Sequence, residues 1–506
     1  MDTNALLAKL HAIDGECRRL QDSMAILQWD QETYLPESGV EERAEQLALL
    51  GRIAHERFVC AETAHLLEEL GSVTANPGGD EKLPAIERDF LRVTRRDYDR
   101  EVKLPADFVS EAAKAEGLST AAWSLAKRNN DFNYFLPHLC TMMELARKRS
   151  VYWGYTQNVY DGLLSIYEPG MDAKAVTSVF TPLREQLSVL LKKIASAPQP
   201  DRSFLDKKYN TETQALFSAE LMKRLGFDLN RGRLDVSAHP FTTSLGCDDV
   251  RITTRYFPEN LLSGVFSVIH ESGHAFYDMA YPAEIRGSCL ADGASMGIHE
   301  SQSRLWENVI GRSRPFWEYF FPVLKNFFPD ELRSVTAESF YKAANICGPS
   351  LIRVDADEVS YSLHIILRFE LEQGLFNGTV KPEDLPKLWR ERMKEIVGAE
   401  PETDTEGVLQ DIHWSMGSFG YFPSYALGNL YGLQFFGSLK KDIPDADAKI
   451  SAGDFAVIHN WLHENIHKWG RRLDPPDLLK KVTGQNLSVR PFLNYIEEKY
   501  SGIYGF

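Results

Sequence analysis

LLSGVFSVIHESGHAFYDMA, residues 261–280, holds His270, Glu271 and His274 in the arrangement H-E-x-x-H. Side chains four apart on an α-helix lie one above the other. Both imidazoles can therefore reach one ion while Glu271 between them faces a water on that ion. Zinc held by three protein ligands keeps a position open for water and lowers that water's pKa to about 7, and a nearby carboxylate can take the proton. Val268, Ile269, Ala275 and Phe276 flank the motif without further charge, and Gly273 permits close backbone approach. The segment predicts a sheltered helix carrying one divalent metal, with Glu271 as general base.

A second match complicates this. His463, Glu464 and His467 in WLHENIHKWG fit the same pattern, and His459 extends it by a turn. Lys468 directly follows, and an ammonium beside a dication is unfavourable unless it snorkels away. The first copy is the expected metal site, and the second reads as a polar helix face. A third ligand is needed. Glu300, in GASMGIHESQSRLWENVIG, lies on a helical pattern bracketed by Gly297 and Gly311, with Ile298, Leu305 and Val309 on its apolar side. It could serve as that ligand or merely pair at the surface with Arg304 one turn on. Its neighbour His299 competes, but adjacent helical side chains diverge by about 100°, so both should not bind one ion.

Outward from the motif, helical periodicity dominates. From Pro84, Ile86, Phe90 and Val93 share one face. Thr211 and Gln214 make a capping-box pattern ahead of an apolar stripe that Gly226 would close. Val250, Ile252, Thr254 and Tyr256 alternate with polar residues, predicting a half-buried strand in a small sheet just before the metal motif. Turn-forming residues cluster at 76–80 and 196–201.

Composition narrows the partners. Fifty-six Lys and Arg against 72 Asp and Glu give a charge of −16, which opposes nucleic acid. No apolar run is long enough to span a bilayer. Six scattered cysteines without a C-x-x-C pair, and a start with no secretory pattern, predict a reducing, cytoplasmic setting with the thiols as buried small hydrophobes.

With these residues in view, the sequence resembles the carboxypeptidase Taq family of zinc metallocarboxypeptidases. Six blocks stand in that family's order. They are His239-Pro240-Phe241, Asp249 to Thr253, His270 to His274, His299-Glu300-Ser301-Gln302, Ile352 to Asp357, and Gly407 to Trp414. The resemblance spans essentially the whole chain. It implies a mainly α fold over 1–506, one catalytic domain of two helical lobes flanking a deep groove, related to neurolysin and angiotensin-converting enzyme and usually a homodimer. It makes Glu300 the third ligand, with one zinc per chain and cobalt able to substitute. It also implies release of single residues from peptides with a free C-terminus.

Other roles follow from chemistry joined to that resemblance. A terminal carboxylate suits a guanidinium, which can donate two parallel hydrogen bonds. Arg353 is the candidate, against a simple ion pair with Asp355 or Asp357 near the start of a helix running toward Gly374. His413 and Tyr421 resemble the His and Tyr that stabilise the carbonyl oxygen in the angiotensin-converting and neurolysin relatives, with Tyr425 a nearby alternative. His239 and Arg251 are groove residues by resemblance only. If the strand at 250–256 offers an edge, an extended peptide could add to it. The competing activities are an endo-acting oligopeptidase of the same fold and an inactive peptide-binding protein.

Overall fold

The computed structural model describes residues 2–75 and 83–506, so the turn cluster at 76–80 lies outside the described residues. Helices dominate as the periodicity predicts, and among the described residues nine α-helices precede the first strand, from Thr3–Thr33 to Thr211–Leu225. The helix Ala85–Val102 buries Phe90 and Val93 completely. Buried apolar side chains from Leu6 to Tyr504 form one connected core. No helix among the described residues is long and apolar enough to cross a membrane.

Several local signals need correction. The helix Thr211–Leu225 ends at Gly226 in the left-handed conformation, as expected, but its cap is Asn210, whose side chain accepts from the Thr213 amide. Gln214 is buried instead, donating to the carbonyls of Tyr209 and Phe257. The helix expected to run toward Gly374 passes it and stops at Gly378, where φ is positive. The cysteines are all free, but only Cys17, Cys289 and Cys347 are buried, and Cys140 is exposed.

The sheet has three strands in the order β1-β3-β2: β1 (Gly232–Val236), β2 (Thr242–Ser244) and β3 (Val250–Thr254). β3 pairs with β1 in parallel and β2 antiparallel, with Thr242 opposite Ile252. The predicted strand is thus central rather than half-buried. Both its edges are taken, so any added peptide strand would have to use an outer edge of the sheet.

Three helices build the region of the motif. Asn260 caps Leu261–Met279 by accepting from the Ser263 amide. Ser295 caps Met296–Arg304 through the Ile298 amide, and the wider π turn Leu305–Gly311 continues it. The third helix is Phe422–Asp442. Glycines let these backbones nearly touch. A Cβ on Gly273 would lie 2.7 Å from the Ser303 Cα, and one on Gly428 would lie 2.7 Å from the Glu300 Cγ. Neither neighbour is a flexible chain end. Gly428→Ala should therefore push the Met296–Arg304 helix outward and cost about 1–3 kcal/mol, read as a fall in thermal midpoint. An unchanged midpoint would show that this helix contact can relax freely.

Candidate active site

His270, His274 and Glu300 converge as the motif requires, and their ligating atoms all lie within 4.8 Å of one another. Glu300 Oε2 stands 3.6 Å from His270 Nε2 and 3.4 Å from His274 Nε2. The other edge of each imidazole is occupied. His270 Nδ1 bonds Glu307 Oε2 at 2.9 Å, and His274 Nδ1 bonds His299 Nδ1 at 2.6 Å. His299 Nε2 in turn bonds Asp278 at 2.9 Å. Both Nε2 atoms are thereby turned toward Glu300, which is how an outer layer fixes the orientation of metal-binding imidazoles. Two imidazoles and a carboxylate, with further partners behind them, fit a divalent ion well.

Glu300 also forms the pair with Arg304 that its spacing suggested, but the pair is buried and does not compete. Arg304 Nε bonds Oε1 at 2.7 Å, leaving Oε2 for the histidines and Ser303. Burial would raise the Glu300 carboxyl, yet Arg304 and the two histidines hold it well below the usual range. Burial likewise opposes ionisation of Glu307, and Arg304, His270 and Arg312 overcome it.

Glu271 is buried on the same helix, and Thr242 Oγ1 on β2 lies 2.6 Å from its Oε2. The second histidine cluster does not form a site. His467 is buried against Gln302 Oε1, His459 bonds the Leu225 carbonyl and stacks on Trp306, and Glu464 pairs with Lys468. The expected polar face is thus divided: His467, beyond the helix end at Asn465, is buried and His459 and His463 are half-buried, while Glu464 is exposed.

Arg353 sits in a single 3-10 turn, Arg353–Asp355, and is 7% exposed. Its partner is neither Asp355 nor Asp357. Asp357 instead caps the helix Ser360–Asn377. Asp411 receives Arg353 on Oδ1 and the fully buried Arg368 on Oδ2. One carboxylate thus faces two guanidiniums. Arg353 Nη1 also donates to the Tyr361 hydroxyl, whose ring lies 4.2 Å from the Arg304 guanidinium.

His413, Tyr421 and Tyr425 lie in contact with one another. His413 Nε2 bonds the Tyr425 hydroxyl at 3.1 Å, and the Tyr425 ring packs edge-on against Tyr421 with centroids 5.0 Å apart. Burial pushes the His413 imidazole down to about 3, with Arg353 and Arg368 helping against Asp411, so it is neutral near pH 7. Its Nδ1 is buried without a partner among the described residues. Burial, with the charge of Glu300, keeps the Tyr421 phenol protonated.

His239 and Arg251 are not drawn into this cluster. His239 is exposed. Arg251 pairs with Asp249 through both carboxylate oxygens and lies over the Trp29 ring. Arg251 is opposite Thr243, one residue out of step with Thr242, so its side chain leaves the other face of the sheet.

Glu372 is a supporting group that the sequence pattern gave no reason to select. The Trp414 indole, the Tyr160 hydroxyl and the Gly420 amide all donate to it, stapling the segment that bears His413 and Tyr421 onto the Ser360–Asn377 helix. Burial lifts its carboxyl from 4.5 to about 7 despite these donors. A carboxyl raised in the folded protein binds its proton more tightly there, so its stabilising contribution is complete below the unfolded value and is lost as pH rises through about 7. The stability of the wild type relative to Glu372→Gln should fall by on the order of 3 kcal/mol between acid and neutral pH. Paired thermal or urea melts would check this, and a gap that is constant or widens with pH would refute it.

Comparison with known proteins gives matches over nearly the whole chain. Residues 9–500 match the family described as carboxypeptidase Taq (M32) metallopeptidase. Thermostable carboxypeptidase 1 of Thermus thermophilus is 40% identical over 517 residues, covering 100% of both chains. Carboxypeptidase 1 of Bacillus subtilis is 38% identical over 488 residues, covering 96% of this chain and 95% of the other. The crystal structure of the M32 carboxypeptidase from Deinococcus radiodurans R1 superposes with a TM-score of 0.96 at 36% identity, covering 99% of this chain and 100% of that one.

Proposed function

The chain belongs to the carboxypeptidase Taq (M32) metallopeptidase family, and from this and the geometry above we propose that it removes single residues from the C-terminus of peptides, with zinc as its metal. The observation that carries the reading is the buried Arg353-Asp411-Arg368 group, in which one carboxylate meets two guanidiniums. It holds an excess of positive charge in low dielectric, and Arg353 keeps N–H groups on both Nη atoms for a terminal carboxylate.

Each residue then has a defined task. A divalent cation on His270, His274 and Glu300 would supply a Lewis acid that acidifies water and polarises the scissile carbonyl. Zinc suits the donor set, and cobalt would be accepted by it. Glu271 takes the proton from water and returns it to the leaving amine. Tyr421 and the neutral His413, linked through Tyr425, donate toward the carbonyl oxygen as charge develops there. His239 and Arg251 belong at the rim of the groove, outside the reacting centre. We further propose one catalytic domain of two lobes around that groove, a homodimer, and a cytoplasmic setting, which the family resemblance and the free cysteines favour.

Hydrolysis of one peptide as free acid and as C-terminal amide tests the reaction. Release of one residue from the free acid alone is expected, and it should be abolished in Glu271→Ala while one metal per chain is retained. Equal cleavage of both forms would favour an endo-acting oligopeptidase. No metal-dependent cleavage by wild type would leave a peptide-binding protein. Arg353→Lys keeps a cation for Asp411 but loses the planar fork, so kcat/KM on free acids should drop roughly ten- to a hundred-fold. An unaltered preference for free acid over amide in that variant would remove Arg353 as the anchor.

A further inference from the structure

We propose that Thr242 is a positioning residue for the reaction, its hydroxyl holding the Glu271 carboxylate in the orientation from which it takes a proton. This rests on the reading of Glu271 as general base. Thr242 Oγ1 lies 2.6 Å from Glu271 Oε2, within the range of a hydroxyl donating to an ionised carboxylate, and 3.1 Å from the backbone oxygen of the same residue. No described residue hydrogen-bonds Oε1, so the contact fixes one carboxylate oxygen and leaves the other for water.

The hydroxyl is itself held by a rigid mount. Thr242 opens β2 and is paired across the sheet with Ile252, which is fully buried. The turn leading into it is tied down at several points. The Phe241 amide donates to Thr253 Oγ1 at 3.0 Å, and the Thr253 amide donates to the Phe241 carbonyl at 2.9 Å. Ser237 Oγ lies within hydrogen-bond distance of both Thr253 Oγ1 and the His239 carbonyl. Strand register and turn together aim one hydroxyl at the helix that carries H-E-x-x-H. A threonine satisfying only the helix backbone would serve packing alone. The shorter contact to the carboxylate separates the two roles, because its loss frees the Glu271 side chain to rotate.

This arrangement assigns a task to the HPF block that precedes Thr242. The block shapes the turn that delivers the hydroxyl through its backbone, the Phe241 amide and carbonyl and the His239 carbonyl.

The test compares Thr242→Val, which removes the hydroxyl at nearly constant shape, with Thr242→Ser, which returns it, alongside Glu271→Ala. Steady-state kinetics on a free-acid peptide, metal content and thermal midpoint are measured for each. A misaligned base should lower kcat roughly ten- to a hundred-fold in Thr242→Val with KM within about twofold, one metal per chain, and most of kcat restored in Thr242→Ser. A valine variant that keeps kcat while Glu271→Ala is dead would overturn this role and leave the base assignment standing. Equal losses in the valine and serine variants, or losses that track metal content or midpoint, would overturn it in favour of a structural contact. Activity retained in Glu271→Ala would overturn the base assignment and this role with it.

Discussion

Everything in the site depends on helices approaching more closely than side chains normally permit. Two imidazoles four residues apart can be supplied by one helix, but the third ligand must come from another, and its carboxylate has to arrive within reach of the same ion as both rings. Gly273 and Gly428 provide that approach from the two helices packed on Met296–Arg304, one against the Ser303 backbone and the other against the Glu300 side chain. The helix is clamped between two neighbours, so Glu300 has little freedom to swing out of register. Further back, the buried Glu168 binds the Gly297 amide and the hydroxyls of Ser295 and Ser424, tying the start of that helix to the start of Phe422–Asp442.

Such packing buries charge, which is expensive unless each charge is paired and hydrogen-bonded. The site answers this with chains rather than isolated pairs. Arg304 serves Glu300 and Glu307, Arg312 completes Glu307, and Asp411 divides its oxygens between Arg353 and Arg368. Well-packed apolar residues would stabilise the core at least as well. What these pairs supply is fixed direction: each ligand and each candidate substrate contact is oriented by a partner whose own alternatives are occupied.

The sequence was most informative where the signal is local. H-E-x-x-H, the alternation at Val250 to Tyr256 and the closing Gly226 all depend on residues within a turn or two of one another; the first and last lie where their patterns indicated, and the alternation marks a strand that ends early, at Thr254. Local patterns also misled. Thr211 has the spacing of a capping box, but Asn210, one residue earlier, is the cap, accepting from the Thr213 amide while the Gln214 amide bonds the Asn210 carbonyl. The second H-E-x-x-H has the right letters on a helix that stops too soon. Contacts between distant segments left no local trace. Asp411 lies 58 residues from Arg353, so an ion pair with the nearer Asp355 or Asp357 was the natural reading. Glu307 left a faint one, standing two turns beyond Glu300 on the same helical pattern. Thr242, directly after His239-Pro240-Phe241, could be noticed only by its adjacency to a block.

On the proposed reading, exopeptidase action requires a fixed distance between the group that holds the terminal carboxylate and the groups that act on the last peptide bond. One short segment governs both ends of that distance. Asp411 orients Arg353, and His413, two residues on, bonds Tyr425, whose ring packs edge-on against Tyr421. Glu372 staples the same segment from beneath through Trp414 and Gly420. A second route runs from Arg353 through Tyr361 to Arg304 and so to Glu300. Anchor and reacting centre therefore cannot shift independently, as they could on separate flexible loops. A site that measures one residue from the chain end needs such a ruler, and buried ion pairs with aromatic contacts make a stiffer one than exposed loops could.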